Sequence, residues 1–375
     1  MTPGPVPLSP EVREILAQPM IHHRTPEFEK VLKSVSAKLK KTFLTNESVY
    51  MHAATGSGAM ESAIVNTLNA GDKVLALVSG KFGERWRDMA RRHGCEVLEI
   101  NAPWGEPVNP KEVQALLQKS PDIRAVLCQA CETSTATSHP IQEIASLVRE
   151  YPQMLFMVDA ITGIAAMRLK MDEWGLDVIV SGSQKAFMLP TGLSFISLSK
   201  KAWQANAGVK NPGFYFDLRG EKKSLEKGET HFSSVVPLIR ALDVVLDELI
   251  DTNLEKTIAR SKKLAEVTRL AGEKLGFKVY SKSPANSVTA LLTPAGVDGA
   301  KIRDHLESEY NITVMGGQDQ LKGKIIRIGH LGYITDDDMV ATFECLALTL
   351  RDLGVPVTEQ KVAEIAAFVK TQLSL

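Results

Sequence analysis

Two patterns of apolar residues alternate along the N-terminal half of this chain. Short apolar runs, typical of buried strands, lie at residues 49–53, 74–78, 96–100, 125–129, 155–158 and 178–180. Between them, apolar residues recur with the spacing of amphipathic helices at residues 59–68, 83–93, 110–118 and 141–150. Strands that alternate with helices in this way predict an α/β fold, with a mostly parallel central sheet and helices on both of its faces.

The chain begins differently, with a proline-rich segment over residues 1–25. Proline favours extended backbone, so we expect an arm that contains one short helix around residues 11–18. Thr25 and Pro26 then mark the start of an amphipathic helix, with Thr25 as the N-cap and Pro26 in the first turn. The apolar side of this helix comprises Phe28, Val31, Leu32, Val35 and Leu39.

The C-terminal half has fewer strands and longer helices. Its predicted elements are an antiparallel strand at 193–198, a helical stretch at 235–275 with turn signals at 251–253, strands at 287–292 and 324–328, and helices at 300–310 and 336–353. A chain of this length exceeds what one core usually supports. We therefore expect an N-terminal arm (1–25), a large domain (26–255) and a small α+β domain (256–375).

Composition narrows the classes of function. Lys+Arg and Asp+Glu are equal, at 44 each, so no excess charge favours nucleic acid or an anionic membrane as a partner. No apolar run reaches the ~20 residues that a membrane span needs. Four cysteines in 375 residues do not form a disulfide framework, and the N-terminus lacks the pattern of a signal peptide. We expect a reduced, cytoplasmic protein.

Two of the predicted strands lead to an ionisable residue. The strand at 155–158 is followed by Asp159, and the strand at 178–180 leads through a small polar turn to Lys185. In a parallel sheet both residues project at the carboxyl edge, where ligands bind. A buried lysine has a lowered pKa, which an amine needs to form a Schiff base with a carbonyl. A lysine for an aldehyde and an aspartate for a ring nitrogen suggest a pyridoxal phosphate site.

Small polar and aromatic residues follow other strands at the same edge. Thr55, Gly56 and Ser57 precede a helix, whose N-terminus suits a phosphate; the alternative is an ordinary strand-to-helix turn. Phe82 could stack on a flat cofactor ring or belong to the core. Thr133 could hydrogen-bond a ring substituent or serve as an N-cap or turn residue.

Arg327 lies in the middle of the apolar strand predicted at 324–328. A buried guanidinium needs an anion, because its desolvation is costly. Its planar fork matches a carboxylate through two parallel hydrogen bonds. We therefore interpret Arg327 as an anion-binding residue, with a structural salt bridge as the alternative.

Three other features have simpler explanations. Cys128 and Cys131 have the C-x-x-C spacing, but no second pair accompanies them to complete a zinc site, and a redox motif would open a helix directly. We interpret both as structural. His22 and His23 fit a solvated loop better than a metal or anion site. Tyr215 could line a pocket or simply pack.

Taken together, these motifs resemble those of class V aminotransferases of pyridoxal-phosphate fold type I, and especially the alanine/serine–glyoxylate and serine–pyruvate aminotransferases. The similarity extends through almost the whole chain, from the proline-rich start to Arg327 and the residues that follow it. Its most specific parts are Glu132-Thr133-Ser134-Thr135, Val158-Asp159-Ala160 and Ser181-Gly182-Ser183-Gln184-Lys185.

The resemblance implies a role for each candidate residue. Lys185 would hold the cofactor covalently and then act as general base and acid, Asp159 would pair with the pyridine nitrogen, and Arg327 would bind the substrate carboxylate. The other implied cofactor-binding residues are Thr55, Gly56 and Ser57 at the phosphate, Phe82 against the ring, Thr133 and Gln184 on the side of the ring hydroxyl, and Ile161. Thr230 and Ser233 would contact the phosphate from a neighbouring subunit. Their segment departs from the family pattern, because His231, Ser234 and Val235 replace the family's prolines.

The resemblance also implies an activity, the transfer of an amino group from alanine or serine to glyoxylate or pyruvate by a ping-pong mechanism. It further implies a homodimer with shared active sites. Two alternatives stay open: another donor, such as aspartate or 2-aminoethylphosphonate, or a noncatalytic transaminase-like subunit of a complex. The presence of Lys185, Asp159 and Arg327 favours an enzyme. A cysteine desulfurase is disfavoured, because Cys345 is predicted to lie in a buried helix rather than a mobile loop.

Overall fold

A computed structural model of the protein describes residues 1–251 and 254–375, and of residues 250 and 251 the backbone alone. The helices are α1 (Pro10–Leu16), α2 (Pro26–Phe43), α3 (Gly56–Thr67), α4 (Lys81–Arg92), α5 (Pro110–Lys119), α6 (Ile141–Arg149), α7 (Met171–Trp174), α8 (Lys200–Ala207), α9 (Leu218–Leu225), α10 (Val236–Asp251), α11 (Leu254–Lys274), α12 (Gly299–Tyr310), α13 (Asp336–Asp352) and α14 (Glu359–Ser374). The strands are β1 (Val49–His52), β2 (Lys73–Val78), β3 (Glu96–Asn101), β4 (Ala125–Gln129), β5 (Cys131–Glu132), β6 (Thr137–Ser138), β7 (Leu155–Asp159), β8 (Val178–Gly182), β9 (Ser194–Leu198), β10 (Lys278–Val279), β11 (Val288–Leu292), β12 (Met315–Gly316) and β13 (Ile325–Gly329).

The central sheet has seven strands in the order β1-β9-β8-β7-β4-β2-β3. The strands from β8 to β3 are parallel to one another, whereas β9 is antiparallel to β8 and to β1. Successive residues of β7 enter different hydrophobic clusters: Phe156 and Val158 belong to one, Leu155 and Met157 to the other. This alternation is expected of a strand that is buried on both faces. The predicted α/β fold and the antiparallel strand near residue 193 are confirmed.

Helix α2 begins as the sequence predicts. The hydroxyl of Thr25 accepts a hydrogen bond from the N–H of Phe28, and Pro26 occupies the first turn. The apolar side of the helix packs against α10, and of the predicted apolar residues only Val31 is half-buried rather than buried. Local capping and burial of one side therefore both act to hold this helix in place.

The C-terminal part contains a second sheet of four antiparallel strands in the order β10-β11-β13-β12. Its own hydrophobic cluster includes Ile326 of β13 and side chains of the four helices α11 to α14. The helical stretch predicted over 235–275 consists of α10 and α11, and residues 252 and 253 of the predicted turn lie outside the described residues. The sequence pattern did not predict α7, α8, α9 and α14. The domain limits at residues 25 and 255 stay predictions.

The N-terminal arm lies against the end of β13. The N–H of Gly329 donates to the carbonyl of Met1 at 2.9 Å, and the N–H of Tyr333 donates to the carbonyl of Pro7 at 3.2 Å. Glycine is needed at position 329, because a Cβ atom there would come within 2.7 Å of the Cα of Pro3. The first residues of the chain are thereby held beside the small sheet.

Neither a membrane-spanning helix nor a metal-binding cluster is present among the described residues. Across residues 1–251 and 254–375, no helix combines the length and the apolar character that crossing a membrane requires. Within the same residues, no group of three or more His, Cys, Asp or Glu side chains is arranged to hold a metal ion. His22 is exposed and His23 half-buried, in the loop that precedes α2.

Candidate active site

The carboxyl edge of the central sheet brings Asp159 and Lys185 together. Asp159 is the last residue of β7 and pairs with Val180 of β8, and Lys185 lies in the turn that follows β8. Hydrogen bonds hold this turn: the hydroxyl of Ser183 donates to the carbonyl of Pro190 at 2.7 Å, and the N–H of Met188 donates to the carbonyl of Lys185 at 2.9 Å. Lys185 is therefore held close to the end of β8 by a hydrogen-bonded turn.

The amine of Lys185 lies in an environment that disfavours its charge. Burial lowers the pKa of the amine from 10.5 to about 8; the Asp159 carboxylate opposes this effect and the Arg327 guanidinium adds to it. The Nζ atom donates a hydrogen bond to the carbonyl of Pro3 at 2.7 Å, so the N-terminal arm of the same chain reaches this point. A pKa near 8 leaves part of the amine uncharged at neutral pH, as attack on a carbonyl requires.

The carboxyl of Asp159 is buried and only partly hydrogen-bonded. Burial raises its pKa from 3.8 to about 7, although the N–H of Ile161 donates to Oδ1 at 2.8 Å. Among the described residues, its second oxygen, Oδ2, accepts no hydrogen bond. A buried carboxylate with one free oxygen would be strongly stabilised by a cationic N–H group such as that of a protonated pyridine ring.

Arg327 occupies the middle of β13, as predicted, and its side chain is nearly inaccessible to solvent, at 6% exposure. Its Nε donates to the carbonyl of Gly316 at 3.0 Å and its Nη1 to the carbonyl of Thr133 at 2.9 Å. Burial lowers the pKa of this guanidinium. No carboxylate in the described part of the chain forms an ion pair with Arg327, so the alternative of a structural salt bridge finds no support there.

The N-terminus of α3 faces the ends of β7 and β8. Thr55 is the N-cap, but its side chain makes no capping hydrogen bond, which leaves donors of the first turn available to an anion. A Cβ atom at Gly56 would lie 2.5 Å from Cδ1 of Ile161, so only glycine allows Ile161 to pack on the start of the helix. The Oε1 atom of Gln184 is buried without a hydrogen-bond partner among the described residues. These features fit a ligand that has an anionic group and a donor.

Glu132 positions the candidate residue Phe82, although the sequence pattern marked it only as part of a motif. Its fully buried carboxylate accepts hydrogen bonds from the N–H groups of Phe82 and Gly83, both at 3.0 Å, and from the N–H of Ser134 at 3.1 Å. It therefore satisfies free donors at the start of α4, where a negative charge is also favoured by the helix dipole. The carboxylate of Glu132 thereby joins the start of α4, which carries Phe82, to the segment that follows β5.

Thr133 is hydrogen-bonded within the site, whereas Thr230 and Ser233, the residues predicted to reach a partner subunit, are not hydrogen-bonded to the other candidate residues in the described part of the chain. The hydroxyl of Thr133 is hydrogen-bonded to the hydroxyl of Thr162 at 2.9 Å. Thr230 and Ser233 lie between α9 and α10, where the hydroxyl of Thr230 donates to the carbonyl of Phe232 at 2.8 Å. No hydrogen bond within the described residues joins Thr230 or Ser233 to the other candidates.

The remaining features from the sequence are also located. Cys128 and Cys131 are free and buried, and burial raises the pKa of both thiols, that of Cys131 to about 11, which suits a structural role. Tyr215 is 44% exposed and stacks on Phe232, with 5.2 Å between ring centroids. Cys345 lies in α13 but is half-buried, so the prediction that this helix position is buried was partly wrong.

Comparison with known families decides between the classes of protein that this geometry allows. The sequence profile of the class-V aminotransferases matches residues 9–338. This chain belongs to the class-V aminotransferase family. The protein is accordingly a pyridoxal phosphate-dependent aminotransferase, and pyridoxal phosphate is its cofactor. The family predicted from the motifs is confirmed.

Relatives within the class-V family carry several names. An L-aspartate–glyoxylate aminotransferase of Paracoccus denitrificans is 35% identical over 95% of this chain and 91% of its own. A serine–glyoxylate aminotransferase of Methylorubrum extorquens is 34% identical over 95% of this chain and 92% of its own. The small subunit of a soluble hydrogenase of Synechococcus is 38% identical over 94% of this chain and 93% of its own.

Solved structures of two glyoxylate aminotransferases have the same architecture. A ureidoglycine–glyoxylate aminotransferase of Bacillus subtilis superposes with a TM-score of 0.94 at 25% identity, covering 99% of this chain and 97% of that one. An alanine–glyoxylate aminotransferase of Nostoc superposes with a TM-score of 0.89 at 28% identity, covering 94% of both chains. The predicted fold type I is confirmed.

Proposed function

We propose that this aminotransferase moves the amino group of a small amino acid, alanine or serine, to glyoxylate or pyruvate by a ping-pong mechanism. One observation carries the proposal: a buried guanidinium without an anionic partner in the described residues lies near an amine whose pKa is lowered to about 8. The amine suits a carbonyl, and the guanidinium suits the carboxylate that every 2-amino acid and 2-oxo acid carries. Glyoxylate stands in the names of relatives whose donors differ, which supports it as the acceptor.

In this proposal the cofactor occupies the carboxyl edge of the central sheet. The residues that would hold it are Thr55, Gly56 and Ser57 at the phosphate, Phe82 and Ile161 against the ring, Thr133 and Gln184 at the ring hydroxyl, Asp159 at the ring nitrogen and Lys185 at the aldehyde. The free Oδ2 atom of Asp159 and the unpartnered Oε1 atom of Gln184 support this arrangement. When bound, pyridoxal phosphate supplies an electron sink for the carbon from which a proton is removed.

Lys185 and Arg327 have separate roles in this proposal: proton transfer and binding of the substrate carboxylate. With the cofactor bound, the Lys185 amine would act as the general base that removes the proton from the substrate carbon and as the general acid that delivers it to the former aldehyde carbon of the cofactor. A pKa lowered to about 8 suits both roles. Arg327 orients the substrate by its carboxylate, and the carbonyls of Gly316 and Thr133 keep the guanidinium from rotating. The positive charge of Arg327 also helps to keep Lys185 uncharged.

We further propose that two chains form a homodimer in which Thr230 and Ser233 reach the phosphate in the partner's site. Phe214 and Tyr215 precede α9, and their rings contact that of Phe232 beside Thr230 and Ser233. They are exposed at 82% and 44%, as aromatic rings at an interface would be in a single chain. The four free cysteines support a reducing, cytoplasmic setting for this assembly.

Two alternatives are favoured by the names of relatives. An aspartate donor is supported by the L-aspartate–glyoxylate enzyme, and a subunit of a larger assembly by the hydrogenase subunit. A 2-aminoethylphosphonate donor would need free cations at the substrate. Arg24 pairs with Glu229, and Arg219 pairs with Asp217 at 3.1 Å, so neither arginine is free for a phosphonate.

The visible absorption of the purified protein with bound cofactor tests these proposals. We expect the cofactor band to bleach with alanine or serine and to return with glyoxylate, and Lys185→Ala to abolish this response. Bleaching with aspartate or aminoethylphosphonate alone would overturn the proposed donor. Bleaching without any turnover in the presence of both substrates would favour the noncatalytic alternative. Intersecting rather than parallel double-reciprocal plots would refute the ping-pong order.

A further inference from the structure

Arg85, near the start of α4, reaches toward the start of α3. Its Nη1 atom donates a hydrogen bond to the hydroxyl of Ser57 at 2.9 Å. Its Cζ atom lies 4.8 Å from the centroid of the Phe82 ring, within the range of a cation–π contact. One side chain therefore contacts both a candidate phosphate residue and a candidate ring residue, although the sequence pattern did not single it out.

The charge of Arg85 has no counter-ion within residues 1–249 and 254–375, whose side chains the structure describes. Lys81, Arg87 and Arg91 on the same helix each pair with a carboxylate, whereas no carboxylate of the described residues lies within ion-pair distance of Arg85. Arg92, at the C-terminal end of the same helix, also pairs with no carboxylate of the described residues, so the missing ion pair alone does not distinguish Arg85. What distinguishes Arg85 is its hydrogen bond to the neutral hydroxyl of Ser57, which holds its charge at the start of α3 and leaves that charge available to an anionic ligand.

The field of Arg85 acts on the residues of the site. Burial raises the pKa of the Asp159 carboxyl, and the Arg85 guanidinium is among the charges that oppose this rise. Burial lowers the pKa of the Lys185 amine, and Arg85 contributes further in the same direction. The guanidinium is thus close enough to the reacting end of the site to belong to it.

None of the residues assigned so far to the phosphate carries a charge. The candidate residues around it are all neutral: Thr55, Gly56, Ser57, Thr230 and Ser233. Backbone N–H groups and the dipole of α3 favour an anion, but a phosphate ester with close to two negative charges is bound more strongly when a guanidinium donates to it in a fork.

We propose that Arg85 binds the phosphate group of pyridoxal phosphate, together with Ser57 at the start of α3. This inference rests on the proposed cofactor site and adds to it the residue that compensates the charge of the phosphate. The hydroxyl of Ser57 accepts a hydrogen bond from Arg85, so the guanidinium and the hydroxyl lie side by side at the start of α3, where the phosphate is proposed to bind. Lysine is a weaker substitute, because its ammonium cannot donate two parallel hydrogen bonds to one phosphate.

Equilibrium titration of the cofactor-free protein tests the inference. Wild type, Arg85→Met and Arg85→Lys are titrated with pyridoxal phosphate and, separately, with pyridoxal, which lacks the phosphate, while the visible band and the tryptophan fluorescence are followed. Arg92→Met, at the exposed C-terminal end of the same helix, is the matched control. Thermal unfolding of each variant verifies that it is folded.

We expect Arg85→Met to raise the Kd for pyridoxal phosphate by about 10- to 100-fold, as the loss of a charged hydrogen-bonded pair predicts, and to leave the Kd for pyridoxal unchanged. Arg85→Lys should fall between wild type and Arg85→Met, and Arg92→Met should match wild type. Inorganic phosphate should compete with pyridoxal phosphate in wild type and less in Arg85→Met.

Three results would separate the explanations. An equal loss for both ligands would mean that Arg85 only supports the Phe82 ring, and would overturn the inference. An unchanged Kd for pyridoxal phosphate in Arg85→Met would overturn it as well. Failure of the wild-type protein to bind either ligand would instead overturn the proposed cofactor site on which the inference rests.

Discussion

Replacing Asp159 with asparagine should change how the stability of the cofactor-free protein depends on pH. Burial raises the pKa of this carboxyl from 3.8 to about 7, so between these pH values the folded protein holds a proton that the unfolded chain has released. Because the unfolded state binds fewer protons there, the free energy of unfolding falls as the pH rises through this range. The residue is only 5% exposed, so solvent screens the effect little.

The magnitude follows from the two pKa values. A shift from 3.8 to about 7 corresponds to about 4 kcal/mol of lost stability once the pH exceeds the higher value. At pH 5 the loss is about 1.6 kcal/mol, because only the interval above the unfolded pKa contributes. Asparagine has nearly the same volume, and its oxygen can still accept from the N–H of Ile161. The gain in stability on Asp159→Asn should therefore be about 3 kcal/mol larger at pH 8 than at pH 5.

Urea unfolding of the cofactor-free protein, followed by tryptophan fluorescence at pH 5, 6.5 and 8 and constant ionic strength, measures this difference. Asp337→Asn, at an exposed position in the first turn of α13, is the matched control and should change stability equally at each pH. If Asp159→Asn shifts the free energy of unfolding by the same amount at pH 5 and pH 8, burial does not raise the pKa of this carboxyl, and the reasoning is refuted.

Three further predictions follow from single side chains. Arg327→Lys should raise KM for amino acid and oxo acid alike by about 10- to 100-fold in steady-state kinetics, since one fork of hydrogen bonds is lost; an unchanged KM would refute its role. Glu132→Gln should destabilise the protein by about 3 kcal/mol in urea unfolding, because one of the two accepting oxygens becomes an NH2 group, which cannot accept from the N–H groups of Phe82 and Gly83 or from that of Ser134. Thr335→Ala should cost about 1 kcal/mol in the same assay, because it removes the capping box of α13; a loss near zero would contradict it.

The strands of the central sheet and the positions of Asp159 and Lys185 could be predicted from the sequence. Apolar runs and their alternation with helical patterns depend on near neighbours in the chain, and the geometry of a parallel sheet then sends both residues to one edge. The N-cap at Thr25 was predictable for the same reason, since capping involves residues that are three apart.

Arg85 and Glu132 could not be recognised in this way. An arginine on a polar helix has the pattern of a solvated charge, and only packing of α4 against α3 brings it to Ser57. Glu132 lies in a recognised motif, but its acceptor role depends on the N–H groups of residues 82 and 83, which are far away along the chain. Helix α14 was missed because its buried side is narrow, consisting of Val362, Ile365 and Val369.

By itself, therefore, the sequence determined the α/β architecture, the family motifs and the chemical type of each candidate side chain, because these depend on local periodicity and residue identity. The tertiary structure alone decided which charges lack a partner, which carboxyl is buried and how far each pKa moves. Those properties depend on solvent exclusion and on contacts between distant segments, such as Pro3 with Lys185 and Thr133 with Arg327, that no local pattern encodes.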